Sequence, residues 1–291
     1  MKKFIFFLVV IPAIIVSGTS CNKYEETYKP KNRISKIWFR SNVDLPDQVY
    51  TYDKKDLLQR IELKNNRYYN FEYDKDKNVT GITHINEFGL TEAIKLDYKD
   101  KFVNKIEYVI EGAVRKVVTF TRRDDNTIAS ITENYDQEFF NNLEDITTSS
   151  LYAFFMGDDR DVLKIMAGSG AKNLSLESIT MLSYETENFN IVKTITTIPD
   201  LNTIITSEMT YDEGNNPYYG LPYVYADLSG YSRNNKLTEK TTTTINGHLQ
   251  PVVTKNYQYD YNGNDYPRRI ITRSSDNNNI PVNTYILFVK E

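Results

Sequence analysis

The sequence predicts an all-β fold, an antiparallel meander of repeated β-hairpins forming an open curved sheet or a sandwich, with a short helical insertion. Three observations lead there. A short aromatic motif returns along the chain at a nearly constant interval, apolar and polar residues alternate with a period of two inside each copy, and clusters of Asp, Asn and Gly separate the alternating runs. Alternation over five or more residues is the pattern of a strand with one face buried and one in water, and the Asp/Asn/Gly clusters supply the turns that reverse it.

The motif is clearest in the first half. Tyr50-Thr-Tyr52-Asp53 leads to Leu58-Gln-Arg-Ile61, and Phe71-Glu-Tyr73-Asp74 leads to Val79-Thr-Gly-Ile82. Leu96-Asp-Tyr98 leads to Val103-Asn-Lys-Ile106, and Phe120-Thr-Arg122 to Ile128-Ala-Ser-Ile131. From the Tyr, or from Arg122, to the Ile is 8 or 9 residues each time, which argues for one structural unit used repeatedly. The motif returns at Tyr184 with Val192 and Ile195, at Tyr211-Asp212, and at Tyr257-Gln-Tyr259-Asp260 before Ile270. The two apolar residues that follow each turn are three apart, so in a regular strand they would face opposite sides. Either the first caps the turn or a β-bulge re-aims it.

Residues 136–175 break the pattern. Phe139, Phe140, Leu143 and Ile146 recur at helical spacing, Ser150 stands as an N-cap before Leu151, Phe154 and Phe155, and Gly157 follows as a stop. Asp161–Met166 reads as a further turn or two. The stretch is expected to be a helical insertion lying against the sheet, dividing N-terminal hairpins (34–135) from C-terminal hairpins (176–291).

The first residues carry an address. Lys2 and Lys3 precede the apolar run Phe4–Val16, followed by Ser17, Gly18, Thr19, Ser20 and Cys21, the charged, apolar, small-residue order of a secretory signal peptide. The run of 13 residues contains Pro12 and falls short of the roughly 20 needed to span a bilayer. Cys21 is the only cysteine, so an intramolecular disulfide is impossible. Small residues directly before it look like the looser bacterial lipoboxes of Bacteroidota, which implies cleavage after residue 20, lipidation (palmitate among the acyl chains) of the Cys21 sulfur, and a linker over 21–33. Lys23, Glu25 and Glu26 resemble the short acidic tags that send such lipoproteins outward. The expected location is the outer membrane, lipid-anchored and facing the cell exterior.

The unit aromatic-x-Tyr-Asp, polar turn, Leu-x-x-Ile resembles that of YD-repeat proteins, closely over residues 49–131 and loosely over 180–271. The Gly-Arg usual in their turns is missing, so the resemblance does not imply a closed cocoon around a toxin. Asn215-Asn216-Pro217-Tyr218-Tyr219-Gly220-Leu221 and Ser232-Arg-Asn234-Asn235 are similar to a segment of uncharacterised YD-like lipoproteins of Bacteroidota. That resemblance implies a repeat β-scaffold and no particular activity.

Composition narrows the chemistry. The 291 residues carry 35 basic and 39 acidic side chains, with no basic excess for a nucleic-acid partner. There are 23 Tyr and 14 Phe but one Trp, two His and one Cys. Asp74-x-Asp76-x-Asn78 and Asp260-x-Asn262-x-Asn264 begin like calcium loops, yet Val79 and Asp265 stand where Gly is needed, and Ile85 and Ile271 stand where the bidentate Glu belongs. They read as solvated turns. His84 and His248 have no zinc-ligand spacing. Gly168-Ser169-Gly170 is neither a nucleophile elbow nor, with Lys172, a phosphate loop. No cofactor, metal or catalytic residue is expected; a carboxylate pair of the glycoside-hydrolase kind stays open, because its spacing is a property of the fold.

The Tyr surplus has two uses. The repeat Tyr residues alternate with charged neighbours and read as the inward ladder of the hairpins. Tyr218, Tyr219, Tyr223, Tyr225 and Tyr231 crowd a Pro/Gly-containing loop that breaks the repeat, and they are the candidate binding surface. The expected function is a non-catalytic lipoprotein scaffold that binds a glycan or partner protein. The alternatives are a structural or adhesive envelope component and, third, a carbohydrate-active enzyme.

Overall fold

The alternating runs become strands in the computed structural model, which describes residues 32–39, 45–64, 67–85, 89–124, 126, 128–136, 138–139, 180–187, 189–198, 202–219 and 229–289. Signal segment 1–20, Cys21 and most of its linker, nearly all of the 136–175 insertion, Tyr223 and Tyr225 lie outside these residues. Before the insertion come β1 (Ile34–Trp38), β2 (Gln48–Tyr52), β3 (Leu58–Leu63), β4 (Tyr68–Tyr73), β5 (Val79–Ile85), β6 (Thr91–Lys99), β7 (Phe102–Ile110), β8 (Ala113–Arg122) and β9 (Ile128–Tyr135). After it come β10 (Thr180–Glu187), β11 (Asn190–Ile198), β12 (Thr203–Asn215), β13 (Asn234–Ile245), the two-residue β14 (His248–Leu249), β15 (Val253–Tyr261), β16 (Pro267–Ser274) and β17 (Val282–Phe288).

The chain forms the expected antiparallel meander. Sequence neighbours pair throughout, including β9 with β10 across the insertion, while β13 pairs with both β14 and β15. The strands make one continuous sheet rather than two packed ones, and β1 is hydrogen-bonded to β2 on one side and to β17 on the other.

In three of the units an Asp or Asn directly after the aromatic strand shapes the turn. Asp53 Oδ1 accepts from the amides of Lys55 (2.7 Å) and Leu57 (2.9 Å). Asp74 Oδ1 accepts in the same way from Asp76 (2.8 Å) and Asn78 (2.9 Å), and Asn262 Oδ1 from Asn264 and Tyr266 (3.0 Å each). These side chains hold the backbone reversal, and the residues at positive φ beside them are Asp56 (64°), Lys77 (70°) and Asp265 (59°). Burial acts to raise the Asp74 pKa, but hydrogen bonds from Asn78 and Asp76, with Lys75 nearby, hold it below its ordinary value. The acidic turns thus spend their oxygens on their own backbone. Among the described residues no group of three metal-ligating side chains comes together.

The question of the paired apolar residues resolves as a bulge. Thr51 stands opposite Arg60 and Tyr52 opposite Leu58, leaving Gln59 unmatched. The same one-residue slip leaves out Thr80, Asn104, Ala129, Val192, Leu237 and Arg268. The extra residue turns both members of each pair inward: Leu58 and Ile61, Val79 and Ile82, Val103 and Ile106, and Ile128 and Ile131 are all buried.

The repeat Tyr is a stitch. Tyr52 Oη donates to the carbonyl of Ile34 (2.9 Å), Tyr73 to Leu58 (2.6 Å), Tyr98 to Val79 (2.9 Å), Tyr211 to Ile191 (2.6 Å) and Tyr259 to Lys236 (2.5 Å). Arg122, the non-Tyr copy, sends Nη2 to the Val103 carbonyl at 3.2 Å. Each carbonyl lies at the start of the preceding strand, just beyond its last rung: the β3–β4 ladder ends at Arg60 and Asn70, and β5–β6 at Gly81 and Lys95. The hydroxyl satisfies a main-chain acceptor where two hairpins diverge.

One apolar cluster follows the inward positions of β1–β9 and reaches Ile191, Ile198, Met209 and Ile286. Phe139, at the start of the insertion, is fully buried in it against Tyr135, ring centroids 4.9 Å apart. The core also holds an ion pair, Lys116 Nζ to Glu133 Oε1 at 3.0 Å, with Tyr135 Oη donating to Glu133 Oε2 at 2.6 Å. The opposite face is charged: Lys95 and Asp97 are exposed, and Lys105 bridges Asp97 (2.9 Å) and Glu107 (2.8 Å). From β12 onward the inward positions change character, carrying Ser207, Thr241, Tyr257, Tyr259, Thr272 and Thr284, all half-buried.

Candidate functional site

The long hairpin β12–β13 is where the repeat is interrupted, and side-chain amides hold its two ends together. Asn216 Nδ2 donates to the Ser232 carbonyl (2.7 Å) while its Oδ1 accepts from the Tyr218 amide (2.9 Å). Asn190 and Asn234 bond reciprocally: Asn234 N reaches Asn190 Oδ1 at 2.9 Å, and Asn190 Nδ2 reaches Asn234 Oδ1 at 3.1 Å. Asn235 donates through its backbone to Asp212 Oδ1 (3.1 Å) and through Nδ2 to the Asn215 carbonyl (3.3 Å). Asp212 also accepts from the Gly214 amide (2.9 Å) and from Tyr261 Oη. Burial, then the hydrogen bond to Asp212 and its charge, push the Tyr261 hydroxyl pKa up.

This frame leaves two hollows that share Tyr211 and Asn234 as a common wall. The outer one, about 590 Å³, is polar: Glu187, Asn190, Glu213, Asn215 and Arg233 surround a patch of Val192 and Met209. The inner one, about 210 Å³, lies on the core face and is walled by Tyr211, Tyr218, Tyr257, Tyr259 and Ile270, with Phe39, Thr272 and Thr284 completing it. Below the tyrosines, Lys236 Nζ pairs with Glu239 Oε2 at 3.1 Å, and Tyr257 Oη donates to the same oxygen at 3.3 Å.

Of the loop tyrosines, Tyr218 is half-buried, packs on the core and borders the inner hollow, and Tyr219 is half-buried. Tyr218 also lies near Tyr50, whose pKa is raised by burial first and by neighbouring Tyr218, Tyr52 and Tyr69 after it. Tyr231 is 3% exposed and packs on Phe120, ring centroids 6.0 Å apart, so it serves the core rather than a surface. Sequence reasoning missed the Asn frame, although the Asn215–Leu221 and Ser232–Asn235 segments had marked the place. It also placed Tyr257 and Tyr259 only in the ladder, and nothing in a strand pattern says that the ladder encloses a space there.

No protein-family model and no curated protein matches the sequence. Solved structures do. A porin-like protein from Bacteroides vulgatus ATCC 8482 superposes with a TM-score of 0.51 at 9% identity, covering 89% of this chain and 100% of that one. A porin-like protein from Bacteroides uniformis ATCC 8492 gives a TM-score of 0.47 at 10% identity, with 91% and 100% covered. At such identity the likeness to the first is one of fold: the chain shares the path of an all-β antiparallel meander with a Bacteroides protein over nearly its whole length.

Proposed function

We propose that the protein is a non-catalytic lipoprotein of the outer membrane, anchored through Cys21 and facing outward, whose β-scaffold binds a glycan or a partner protein at the β12–β13 end. The observation that carries the binding role is the outer hollow, where amides, two exposed carboxylates and Arg233 surround a small apolar patch. Planar amide and charged groups around an apolar floor are the usual means of fixing a polyhydroxylated ligand. Membrane attachment through a lipid fits the strand pattern better than insertion of the sheet. Lys95, Asp97 and Lys99 sit on its outward face, and a lipid-facing Lys at the bilayer midplane costs about 2–4 kcal/mol.

A structural role without a ligand is the second reading, favoured by the burial of Tyr231 and by the stitching use of the repeat tyrosines. Catalysis is disfavoured because Asp212, the carboxylate held most firmly at the site, has its oxygens taken by Gly214, Asn235 and Tyr261. Glycan-array and pull-down screens with the mature chain test the reading: retention of a ligand by the wild type and its loss in Arg233→Ala are expected, and two empty screens overturn the binding role. Protease shaving of intact cells is expected to remove the protein, and survival of the full-length band overturns the outward orientation.

A further inference from the structure

We propose that the inner hollow binds a single neutral sugar ring, the terminal or branch residue of the glycan. This rests on the glycan reading above and adds where one ring sits and what holds it. The first observation is a change of lining at constant register. Most inward positions of β3–β8 are apolar and buried, as at Ile61, Phe71, Ile82, Ile94, Leu96 and Ile106, whereas around the hollow the inward positions of β15–β17 are Tyr257, Tyr259, Ile270, Thr272 and Thr284, all half-buried. A scaffold that needed only a core would gain from aliphatic residues here, since a desolvated hydroxyl without a partner is unfavourable. The side-chain hydroxyls of Thr272 and Thr284 make no hydrogen bond within the protein, and on the same face of β16 the Ser274 hydroxyl is buried without one.

Size and charge narrow the occupant. A dry cavity of about 150 Å³ holds a benzene molecule, so 210 Å³ suits one substituted six-membered ring and not a chain of them. The one cation in the lining, Lys236, is matched by Glu239 at 3.1 Å, which leaves no net charge to select an anion. Tyrosine rings beside unengaged threonine hydroxyls offer apolar faces and hydrogen bonds together, which matches a ring with C–H on one side and hydroxyls around it. Phe39 lines the hollow and is itself 42% exposed, so the space has an approach from solvent.

Calorimetric titration of the mature chain, kept in solution by Cys21→Ser, with a panel of neutral methyl glycosides and with glucuronate tests the assignment. At least one neutral glycoside should bind at one site per chain, and glucuronate should not. Thr284→Val, which removes the hydroxyl at constant shape, should weaken binding by about tenfold, and Thr272→Leu, which fills the space, should abolish it. A glycan array run alongside separates the two readings. Array binding with no response to any single glycoside, or glycoside binding that survives both threonine variants, overturns the inner site while the glycan reading stands. Silence in both assays overturns both.

Discussion

At the scale of single residues the molecule sets close contact against burial of charge. A Cβ at Gly214 would stand 2.6 Å from Tyr261 Cε1 and 2.8 Å from its hydroxyl. Gly214→Ala must therefore push the ring off Asp212, and a loss of about 1–3 kcal/mol is expected from such overpacking, read as a lower denaturant midpoint at unchanged slope. Lys116 poses the opposite problem, a fully buried ammonium that pairs with Glu133 and lies 4.9 Å from the Tyr135 ring centre. Glu133→Leu alone should cost about 3–5 kcal/mol by stranding that charge, whereas Lys116→Met with Glu133→Leu should be roughly neutral. A double-mutant cycle by chemical denaturation measures the difference; equal losses in the single and double variants would show that the pair is not what matters.

The hairpin unit is the element at which sequence and structure meet. Alternation, turns and period were all legible because each is a local consequence of burial and backbone geometry: Asp53 and Asp74 announce their turns, and Leu96 and Ile94 announce a buried face. The bulge was legible as one of two options and needed the partner strand to decide it. The stitch was not legible, since the acceptor of Tyr98 is a carbonyl 19 residues back whose vacancy depends on where the β5–β6 ladder stops. The candidate site was legible as a place but not as a set of contacts, because Asn190 and Asn234 are 44 residues apart and meet only through the fold. If the stitch stabilises, Tyr98→Phe should cost about 0.5–1.5 kcal/mol and raise hydrogen exchange at the turn end of β5 and β6, and Arg122→Tyr should be tolerated. Equal stability of Tyr98→Phe and wild type would reduce the hydroxyl to a passenger.

For the whole molecule, the abundance of part-buried tyrosine sets a limit at high pH. Burial pushes the Tyr50, Tyr73 and Tyr261 hydroxyls well above the ordinary tyrosine value. A group whose folded pKa is raised binds its proton more tightly in the folded state, so its contribution is constant below the unfolded pKa of about 10 and is lost as pH rises above it. Thermal midpoints should be flat towards pH 9 and fall beyond pH 10, with a fraction of the tyrosines ionising only as the chain unfolds, followed by absorbance near 295 nm. A smooth titration of all 23 with no loss of structure would contradict this. The pairing of β1 with β17 carries a further consequence, one of reach. The Val289 amide donates to the Arg33 carbonyl at 2.8 Å, and Asn264 Nδ2 donates to Asn32 Oδ1 at 3.3 Å. Both ends of the described sheet therefore leave beside the 262–265 turn, the end of the molecule that also carries the Asn frame. Cys21 precedes Asn32 by 11 residues, a leash of at most about 40 Å when fully drawn out. Under the proposed lipidation of Cys21, a tether of that length would keep the proposed binding end within a few nanometres of the lipid headgroups, close enough to reach molecules attached to the same membrane.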